Sequence, residues 1–575
     1  MFPEKKERTI NMSKRILIVG GVAGGASAAA RIRRLDEMAD ITIFERGPHV
    51  SFSNCCLPYY LSRTVAEAQR LIMMTPERFR KQYNIDVRTG SEVIAVNPQK
   101  KTVTVRKAED GEEYEEAYDK LVLSPGGAPI LPKIEGIDRE NVFTVRNVVD
   151  IQKLDEYLQT HEVQEVAVIG GGFIGCEVAE NLIHAGRKTT LIEAADQIMA
   201  PFDFDMVQTL HKEMMDHGVE LILNDGIAAI HEGQVVTASG RTVPAQAVVM
   251  AIGVRPETTL AKAAGLEIGE TGGIKVNGNY QTSDPDIYAV GDAIEVTNEQ
   301  TGKAMRLALA WPAQMEARAA ADHICGLDSR KLGFIGSSVV RIFDLYAAST
   351  GLNEKTAKAA GINYDFVYLL ANDRVALMPG NSVMYFKLLF EVPTGKILGA
   401  QAIGKGAADR RVDIIAAMIK MHGTLEDLKD LELCYAPVVS TAKDVTNMAA
   451  MVGLNVLQGR FRQVKVSDVR NLVESGACIV DVREPNEFAA GHLKTAVNIP
   501  LSQLRERTGE IPHDVPVYLH CRSSQRSYNA IMALQQLGFD NLYNISGSFL
   551  GISLYEYPQD TLQGREPIVT AYNFR

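Results

Sequence analysis

A strand that runs into a glycine-rich turn and then a helix occurs twice in this sequence, and it constrains the fold more than any other feature. In the first copy, the apolar run at residues 15–19 (RILIV) precedes the turn GGVAGG at 20–25, an alanine-rich helix at 26–35 and a strand at 41–45. Glycines permit the tight turn, and backbone N–H groups at the N-terminus of the following helix bind a pyrophosphate. A carboxylate at Glu45 would accept hydrogen bonds from a ribose. The segment therefore predicts a parallel βαβ unit that binds a dinucleotide.

The second copy has the same order of elements. A strand at residues 165–169 precedes the turn GGGFIG at 170–175, a helix that continues through Leu182 and a strand at 189–193. Glu193 ends that strand, where a carboxylate can bond a free 2′-hydroxyl but repels a 2′-phosphate. The second unit is therefore expected to bind NADH in preference to NADPH.

Length, charge and cysteine usage exclude several classes of protein. At 575 residues the chain is too long for one hydrophobic core, so several domains are expected. The net charge of -11 and the lack of a basic block argue against a nucleic-acid partner. No apolar stretch approaches the ~20 residues that span a bilayer, and residues 1–13 lack the apolar core of a secretion signal. The seven cysteines have no metal-type spacing. We therefore expect a globular cytoplasmic protein without a metal site.

The hydrophobic pattern changes twice in the second half of the chain. After about residue 331, alternating strands such as 383–390 are mixed with helices such as 413–422, which predicts an α+β domain. From about residue 464 a new α/β pattern begins, with buried strands at 478–482 and 515–520.

Two further segments resemble the flavin signatures of the pyridine-nucleotide disulfide oxidoreductases. These segments are LSPGG at 123–127 and IYAVGDA at 287–293. The resemblance covers about residues 14–450, and its motifs occur in the order that the family has. It implies that the first βαβ unit binds FAD, that Asp292 contacts the ribityl and phosphate region of the flavin, and that the second βαβ unit binds NADH.

The segment SFSNCCLPYY at residues 51–60 resembles that of the coenzyme A-disulfide reductases, in which one cysteine forms a mixed disulfide with the substrate. By position Cys55 takes this role, whereas Cys56 is interpreted as a small packing residue and less readily as a resolving thiol. The resemblance also implies that Tyr435 reaches the substrate sulfur from the partner subunit of a homodimer. Three positions match coenzyme A contacts of these relatives: Arg34, Ser51 and Asn54.

Two departures from that family weaken the case for coenzyme A itself as the substrate. Met378 stands where relatives often have a tyrosine, and residues 314–315 are Gln-Met where relatives often have Asn-Arg. A phenol and a phosphate-binding cation are lost in this way. Which small thiol is the substrate stays open.

The C-terminal α/β pattern resembles the rhodanese domain over residues 464–560, through DVREPNEF at 481–488 and the loop CRSSQRS at 521–527. Consecutive backbone N–H groups of such a loop can bind an anionic persulfide on Cys521. Ser524 stands where many relatives have glycine. Two residues of the loop add positive charge: Arg522 and Arg526.

The predicted function is that of a FAD-dependent NADH:persulfide or disulfide reductase, which acts on coenzyme A or related small thiols through Cys55 and transfers sulfur through Cys521. One alternative is an NADH oxidase or peroxidase whose single cysteine cycles through a sulfenic acid. Ala23 disfavours it, since those relatives carry a histidine there. The other alternative is a sulfur carrier or redox sensor without turnover.

The predicted fold class is α/β, with two Rossmann-like dinucleotide-binding domains, an α+β dimerisation domain and a C-terminal α/β rhodanese domain. The predicted boundaries are a disordered extension at 1–13, an FAD-binding domain at 14–150 and 254–330, an NAD-binding domain at 151–253, a dimerisation domain at 331–455, a linker at 456–463, the rhodanese domain at 464–560 and a tail at 561–575.

The candidate site residues follow from these motifs. The catalytic residues are expected to be Cys55, Tyr435 and Cys521. Those expected to bind FAD are Gly20, Gly21, Val22, Ala23, Gly24, Glu45, Arg46, Asn54, Val93, Ser124, Pro125, Gly126, Gly291, Asp292 and Ala310. Those expected to bind NAD are Gly170, Gly172, Phe173, Ile174, Gly175, Glu193 and Gly253. The substrate-binding residues are expected to be Arg34, Ser51, Asn54, Arg522 and Arg526.

Overall fold

A computed structural model describes residues 13–328 and 333–574, and the chain divides into two compact units. The first unit comprises residues 1–164 and 246–334, and the second comprises residues 165–245 and 335–575. The predicted extension at residues 1–13 lies, apart from Ser13, outside the described residues. None of the helices in the described ranges is both long and apolar enough to cross a membrane.

The strands are, in chain order, β1 (Arg15–Val19), β2 (Asp40–Glu45), β3 (Asp86–Thr89), β4 (Ser91–Asn97), β5 (Thr102–Lys107), β6 (Glu113–Ala117), β7 (Lys120–Leu123), β8 (Gly127–Pro129), β9 (Val142–Thr144), β10 (Glu165–Ile169), β11 (Lys188–Ile192), β12 (Glu220–Ile222), β13 (Ile227–His231), β14 (Gln234–Thr237), β15 (Thr242–Pro244), β16 (Ala247–Met250), β17 (Val254–Pro256), β18 (Ile287–Ala289), β19 (Val296–Thr297), β20 (Ala304–Met305), β21 (Ser338–Ile342), β22 (Leu345–Gly351), β23 (Tyr364–Asn372), β24 (Val383–Glu391), β25 (Ile397–Gly404), β26 (Arg462–Val464), β27 (Cys478–Asp481), β28 (Val497–Asn498), β29 (Val517–His520) and β30 (Leu542–Ile545).

The α-helices are α1 (Ala23–Leu35), α2 (Pro58–Leu61), α3 (Pro76–Tyr83), α4 (Val148–Thr160), α5 (Phe173–His184), α6 (Phe204–Asp216), α7 (Thr259–Ala263), α8 (Ala310–Ile324), α9 (Glu354–Ala359), α10 (Ala408–Lys420), α11 (Leu425–Asp430), α12 (Val445–Leu457), α13 (Val469–Glu474), α14 (Pro485–Ala489), α15 (Gln525–Gln536) and α16 (Ser548–Gln563).

The first unit is built on a parallel sheet with the strand order β18-β7-β1-β2-β3. Its central strand β1 is buried from Ile16 to Val19 because helices and further strands cover both faces, which explains its continuous apolar sequence. The remaining strands of this unit form an antiparallel sheet β4-β5-β6, the antiparallel pairs β8-β17 and β19-β20, and the parallel pair β9-β16.

The second unit contains the second βαβ segment, in which β10, β11 and β12 are parallel. An antiparallel sheet follows in the order β21-β22-β25-β24-β23. Residues of β24, β25, α10 and α12 share one hydrophobic core on this sheet. The sequence-predicted α+β segment therefore has its apolar residues on the helix-covered face.

The last part of the second unit is a parallel sheet in the order β26-β30-β29-β27-β28. Val452 and Val456 of α12 pack against one of its two hydrophobic cores. Gln463 donates a hydrogen bond to the Phe366 carbonyl at 2.7 Å. Because apolar packing and a hydrogen bond both join it to the antiparallel sheet, this α/β segment is fixed within the second unit.

The segment that follows α16 packs on the same α/β fold. Val569 forms a β-bridge with Leu493, and the Thr570 N–H donates to the His492 carbonyl at 2.9 Å. Phe574 lies under the Lys212 ammonium of α6, with the nitrogen 4.4 Å from the ring centroid.

A buried lysine in β24 joins three parts of the second unit. The Lys387 ammonium lies 2.8 Å from Asp205, 3.2 Å from Asp203 and 2.6 Å from Glu354. Burial acts to lower the pKa of Lys387, but the three carboxylates prevail and raise it. Lys465 of the C-terminal α/β segment donates to the same Glu354 at 2.7 Å. The acidic cluster of Asp203, Asp205 and Glu354 therefore has its counter-charge in two lysines, Lys387 and Lys465.

The structure corrects three predicted helix boundaries. Helix α1 begins at Ala23 and not at residue 26, and α10 spans Ala408–Lys420 and not 413–422. Helix α15 begins at Gln525, three residues before the predicted Tyr528. Two of these helices begin inside segments that the sequence analysis assigned to turns, because glycine and serine are weak helix formers.

Candidate active site

The first glycine turn has the geometry of a pyrophosphate site. Gly20 has φ +90°, and a Cβ on it would lie 2.2 Å from the Ser124 carbonyl oxygen, so that only glycine fits. Val22 caps α1 without a side-chain hydrogen bond, and the first turn of α1 contains no acidic residue. The Glu45 carboxylate accepts from Gly21 N at 3.0 Å and from Gly47 N at 2.9 Å. The residues present fit FAD, since the helix terminus carries no competing anion and the carboxylate is fixed in place.

A second loop of the first unit supports this site. The N–H of Gly291 donates to the carboxyl of Glu316 at 2.7 Å, and burial raises the pKa of Glu316 to about 8. Burial also raises the pKa of the neighbouring Asp292, while Arg146 opposes that rise. Sequence reasoning missed Glu316, which lies on α8 and is 25 residues from Gly291. Its long separation from the motif leaves no local signal.

The other predicted FAD residues of this unit differ in exposure. Arg46 is exposed and lies 3.9 Å from Glu92, whereas the side chain of Val93 is buried in the core, so only its backbone can reach a ligand. The Pro125 carbonyl accepts from Arg146 at 3.3 Å. Ala310 begins α8, whose N-terminus has no side-chain cap.

Cys55 lies on a strained loop that is hydrogen-bonded to the first glycine turn. Ser51 has φ +48°, and its N–H donates to the Gly21 carbonyl at 2.8 Å. Positive φ is uncommon for a residue other than glycine and is concentrated at functional sites. Cys55 is exposed in a 3₁₀ turn that spans Asn54–Cys56, and Cys56 is half-buried. The helix after it, α2, has only 4 residues, so the expected effect of a helix dipole on Cys55 is small.

Three other cysteines are expected to react poorly. Burial raises the pKa of the thiols of Cys176, Cys325 and Cys478. A thiol that stays protonated is a weak nucleophile. Arg34, a predicted substrate contact, is exposed near the end of α1.

The second glycine turn, in the second unit, repeats the arrangement of the first. Glu193 accepts from Gly171 N at 2.6 Å and from Ala195 N at 2.8 Å, as Glu45 does from its own two N–H groups. Gly172 caps α5 without a side-chain bond, and a Cβ built on it would meet nothing within 4 Å. This open helix terminus fits the pyrophosphate of a nicotinamide nucleotide.

The other predicted nucleotide residues are divided between the two units. Phe173 is half-buried and Ile174 exposed in the first turn of α5, and Gly175 is buried. Gly170 has φ +107° and donates to the Ile192 carbonyl at 2.8 Å. Gly253 belongs to the first unit, where its carbonyl accepts from Ile130 N at 3.0 Å.

Glu177 is a further candidate in the second unit that the sequence analysis missed. It is half-buried in α5, two residues after Gly175, and burial, with a contribution from Glu180, raises its pKa to about 7. A carboxyl with so perturbed a pKa beside a nucleotide turn is a functional-site candidate. Its position two residues after the last glycine of the turn was the available signal.

Tyr435 lies on an exposed loop of the second unit. The tyrosine is 51% exposed, and Val438 and Val439 beside it are exposed as well. The preceding carbonyl, that of Cys434, accepts from Arg410 at 3.2 Å. Exposed apolar residues that cluster on one loop are typical of an interface with another protein chain.

Cys521 follows β29 and is 1% exposed. Its sulfur lies 3.8 Å from the Ser527 hydroxyl and 3.9 Å from the Ser548 hydroxyl, and both hydroxyls are placed as donors. The N–H of Cys521 donates to the Ser548 oxygen at 3.2 Å. The predicted loop of backbone N–H donors therefore has side-chain hydroxyls in addition, and one of its N–H groups is already used.

The two predicted cations of this loop have different surroundings. Arg526 makes a bidentate pair with Glu487, at 2.6 and 2.8 Å, and this pairing raises its pKa. Burial, with the nearby Arg483, lowers the pKa of Arg522. The positive charge of Arg526 is thus shared between Cys521 and a glutamate that the sequence analysis did not identify.

Comparison with known families agrees with the two glycine turns and with the Cys521 loop described above. Residues 14–317 match the family described as pyridine nucleotide-disulphide oxidoreductase, and residues 337–445 match its dimerisation domain. The chain belongs to the pyridine nucleotide-disulphide oxidoreductases, and the predicted use of FAD and NADH is confirmed at this level. Residues 465–554 match the rhodanese-like domain, so this member of the family carries a sulfurtransferase domain, and the predicted fold class is confirmed.

Three relatives illustrate the match. The chain is 34% identical over 435 residues to coenzyme A disulfide reductase of Staphylococcus aureus strain JH9, which covers 76% of this chain and 98% of the relative. It is similar to the crystal structure of reduced Bacillus anthracis CoADR-RHD, with 44% identity, a TM-score of 0.91, and coverage of 94% of this chain and 98% of the other. It is also similar to a NAD-dependent persulfide reductase from A. fulgidus, with 34% identity, a TM-score of 0.88, and coverage of 93% and 99%.

Proposed function

We propose that this protein uses NADH to reduce disulfides or persulfides of small thiols at Cys55, and that its rhodanese domain transfers sulfur through Cys521. The observation that carries the proposal is the Cys55 loop, whose strained Ser51 is hydrogen-bonded to the flavin-type glycine turn at Gly21. An exposed thiol that is fixed beside a flavin site can exchange electrons with both the cofactor and a soluble substrate.

The chemistry requires a nucleophile and a source of two electrons. A flavin bound at the first glycine turn supplies the two electrons that NADH delivers. The Cys55 thiolate attacks one sulfur of a disulfide R–S–S–R, so that a Cys55–S–S–R bond forms and one R–S⁻ leaves. Two electrons then break the mixed disulfide, which restores the Cys55 thiolate and releases the second R–S⁻.

The substrate is proposed to be coenzyme A or a related small thiol. The names of the relatives support both a disulfide and a persulfide as the oxidised form. The rhodanese-like domain favours the persulfide, because such a domain carries sulfane sulfur. Exposed Arg34 and Asn54 on the first unit are available to contact a soluble substrate, as the sequence pattern predicts.

We further propose a homodimer that works in the cytoplasm. The dimerisation domain and the exposed loop at Tyr435 support the dimer, in which the phenol would donate a proton or a hydrogen bond to the leaving thiolate in the partner's site.

Single-turnover kinetics of the NADH-reduced enzyme tests the proposal. Reduced protein is mixed with a panel of coenzyme A and glutathione disulfides and persulfides, and reoxidation of the flavin is followed by absorbance. Cys55→Ser should abolish turnover with every member of the panel while flavin reduction by NADH survives. Cys521→Ser should leave reduction of a small disulfide nearly intact but impair reactions that start from a sulfur donor. Cys56→Ala is the matched control and should behave as wild type.

Three results would contradict parts of this proposal. Full turnover by Cys55→Ser would exclude Cys55 as the reductant of the substrate. If Cys521→Ser loses small-disulfide reduction as completely as Cys55→Ser does, the two thiols form one obligatory relay. Rapid NADH consumption with O₂ or peroxide alone, and none with the thiol panel, would favour the oxidase or peroxidase alternative.

A further inference from the structure

The serine that begins the last helix contacts the sulfur of the rhodanese cysteine. Ser548 is fully buried, and its hydroxyl lies 3.9 Å from the Cys521 sulfur. The same oxygen accepts the Cys521 N–H at 3.2 Å and lies 3.1 Å from the hydroxyl oxygen of Ser524. Three polar groups of the cysteine loop therefore converge on one hydroxyl.

The hydrogen-bonding capacity of these groups allows one continuous arrangement of their protons. A serine hydroxyl has one proton and two acceptor lone pairs. Ser548 uses one lone pair for the Cys521 N–H and can use the other for the Ser524 hydroxyl, whose alternative acceptor, the Ile545 carbonyl, is farther away at 3.4 Å. When Ser524 donates to Ser548, the Ser548 proton is available to the cysteine sulfur. This arrangement is a relay in which Ser524 donates to Ser548 and Ser548 donates to Cys521.

Both serines of this relay have an unfavourable backbone conformation. Ser524 has φ +75° and Ser548 has φ +50°, and each lies at the start of a helix. Glycine adopts positive φ without steric cost, whereas a residue with a Cβ is strained in this conformation. The hydroxyl is what serine supplies here and glycine would not. Two such serines, of which Ser548 is hydrogen-bonded to the cysteine and Ser524 to Ser548, indicate a functional constraint on that cysteine.

The charges around Cys521 leave a role for neutral donors. Arg526 interacts with Cys521 but also makes a bidentate pair with Glu487, and Arg483 is paired with Asp481 at 2.6 Å. Because the cation nearest the thiol in this loop is shared with a carboxylate, hydrogen bonds from neutral donors add to the stabilisation of negative charge on the buried sulfur. Ser527 also contacts the sulfur, but its hydroxyl has two nearer acceptors, the amide oxygen of Asn544 at 2.7 Å and the Ser524 carbonyl at 3.1 Å.

We propose that Ser548 is a catalytic residue of sulfur transfer, which donates a hydrogen bond to the anionic sulfur of Cys521 and of its persulfide, with Ser524 as the donor behind it. This inference rests on the proposed sulfur-transfer role of Cys521. In the reaction with thiosulfate, the Cys521 thiolate attacks the outer sulfur, a Cys521–S–S⁻ bond forms, and the S–S bond of thiosulfate breaks. Its electron pair leaves with sulfite, so that neither an external oxidant nor an external reductant is needed.

Glycine and alanine variants separate chemistry from backbone strain. Ser548→Gly and Ser548→Ala both lose the hydroxyl, but only glycine relieves the positive φ. Ser524→Gly removes the second hydroxyl of the relay. Ser553→Ala is the matched control, since Ser553 is a buried serine of the same helix whose hydroxyl has no hydrogen-bond partner among the described residues.

Two readouts on the full-length flavoprotein carry the test. Sulfur loading of Cys521 from thiosulfate is followed by mass spectrometry of the intact Cys521 peptide, and alkylation of the same peptide by iodoacetamide is followed as a function of pH. We expect both Ser548 variants to load sulfur about tenfold more slowly, and their alkylation profile to move about one pH unit higher, because one hydrogen bond to a charged acceptor is lost. Ser524→Gly should show a smaller change in the same direction. The glycine variant should also melt at a higher temperature than the alanine variant.

The outcomes distinguish this inference from the function on which it rests. The inference is overturned if both Ser548 variants load sulfur at the wild-type rate and keep the wild-type alkylation profile, and only their melting temperature changes. Ser548 would then be a structural residue that accepts the Cys521 N–H. A change of equal size in Ser553→Ala would also overturn the inference. Failure of wild-type Cys521 to accept sulfur from any donor would instead contradict the sulfur-transfer function, while the alkylation profile would still decide whether Ser548 stabilises the thiolate.

Discussion

Replacement of Glu193 by alanine should abolish the preference for NADH over NADPH. In the structure, each oxygen of this carboxylate already accepts one backbone N–H, from Gly171 at 2.6 Å and from Ala195 at 2.8 Å. The remaining lone pairs can accept ribose hydroxyls, but they would face the phosphate of NADPH. Removal of the carboxylate deletes the first interaction and also releases two N–H donors that can bind the phosphate.

The magnitude follows from these contacts. A hydrogen bond to a charged group contributes roughly 1.5–3 kcal/mol, so kcat/KM for NADH should fall by roughly 10- to 100-fold in Glu193→Ala. Two unit charges about 4 Å apart near a protein surface repel by roughly 4 kcal/mol at most, so kcat/KM for NADPH should rise by about tenfold or more. Together the ratio of the two specificity constants should fall by roughly 100- to 1000-fold.

The assay is stopped-flow reduction of the flavin by each nucleotide, with wild type and Glu193→Ala measured over a range of nucleotide concentrations. Glu193→Gln is the matched variant, because glutamine has the shape of glutamate without its charge. Its amide has only one acceptor oxygen, whereas the N–H groups of Gly171 and Ala195 each bond a separate oxygen in wild type. A ratio that stays within about threefold of wild type in Glu193→Ala would refute the assignment of this carboxylate to the ribose.

Three further predictions test the rest of the molecule. Lys387→Met leaves the carboxylates of Asp203 and Asp205 without their cation and should destabilise the protein by about 3–5 kcal/mol, which denaturant unfolding at neutral pH measures; a loss below about 1 kcal/mol would contradict this. The pKa of Glu316 is about 8 in the folded protein against 4.5 for an ordinary glutamate, so wild type should lose stability as pH rises from about 4.5 to 8, by at most about 1.4 kcal/mol per pH unit. Glu316→Gln keeps an acceptor for Gly291 and should flatten that loss in thermal melts at pH 5 and pH 8; equal slopes in the two proteins would be evidence against a neutral Glu316. Tyr435→Phe should lower substrate turnover by about tenfold or more without slowing flavin reduction by NADH, and an unchanged turnover would remove the phenol from the reaction.

Local patterns in the sequence predicted the central strands well. The predicted strand at 15–19 matches Arg15–Val19, and the strand predicted at 383–390 is observed as Val383–Glu391. Both a continuous apolar run and an alternating run are patterns of neighbouring residues, so a strand of either kind can be predicted from local sequence. The start of α1 was predicted too late because Gly25 was assigned to the turn. Gly25 lies inside α1, and the position needs glycine because a Cβ there would lie 1.8 Å from the Gly20 carbonyl oxygen, a contact that only the folded turn creates.

The parts of the site that the sequence did not predict depend on contacts between distant residues. Glu316 binds Gly291 from 25 residues away, Glu487 binds Arg526 from 39 away, and Ser548 reaches Cys521 from 27 away. No spacing rule links such pairs, since tertiary folding alone brings them together. The motif residues themselves, such as Glu45 and Glu193, could be predicted from the sequence because a βαβ unit fixes the distance between its turn and its second strand.

The contacts between the rhodanese domain and the rest of the second unit make the domain part of that unit's folding. Val452 and Val456 pack against the domain, Gln463 bonds the Phe366 carbonyl, and Lys465 shares Glu354 with the buried lysine. Removal of the domain would expose apolar surface on α12 and take a counter-ion from the acidic cluster. Loss of the domain would therefore carry a penalty in folding as well as in chemistry, and we expect residues 1–457 expressed alone to be less stable than the full chain.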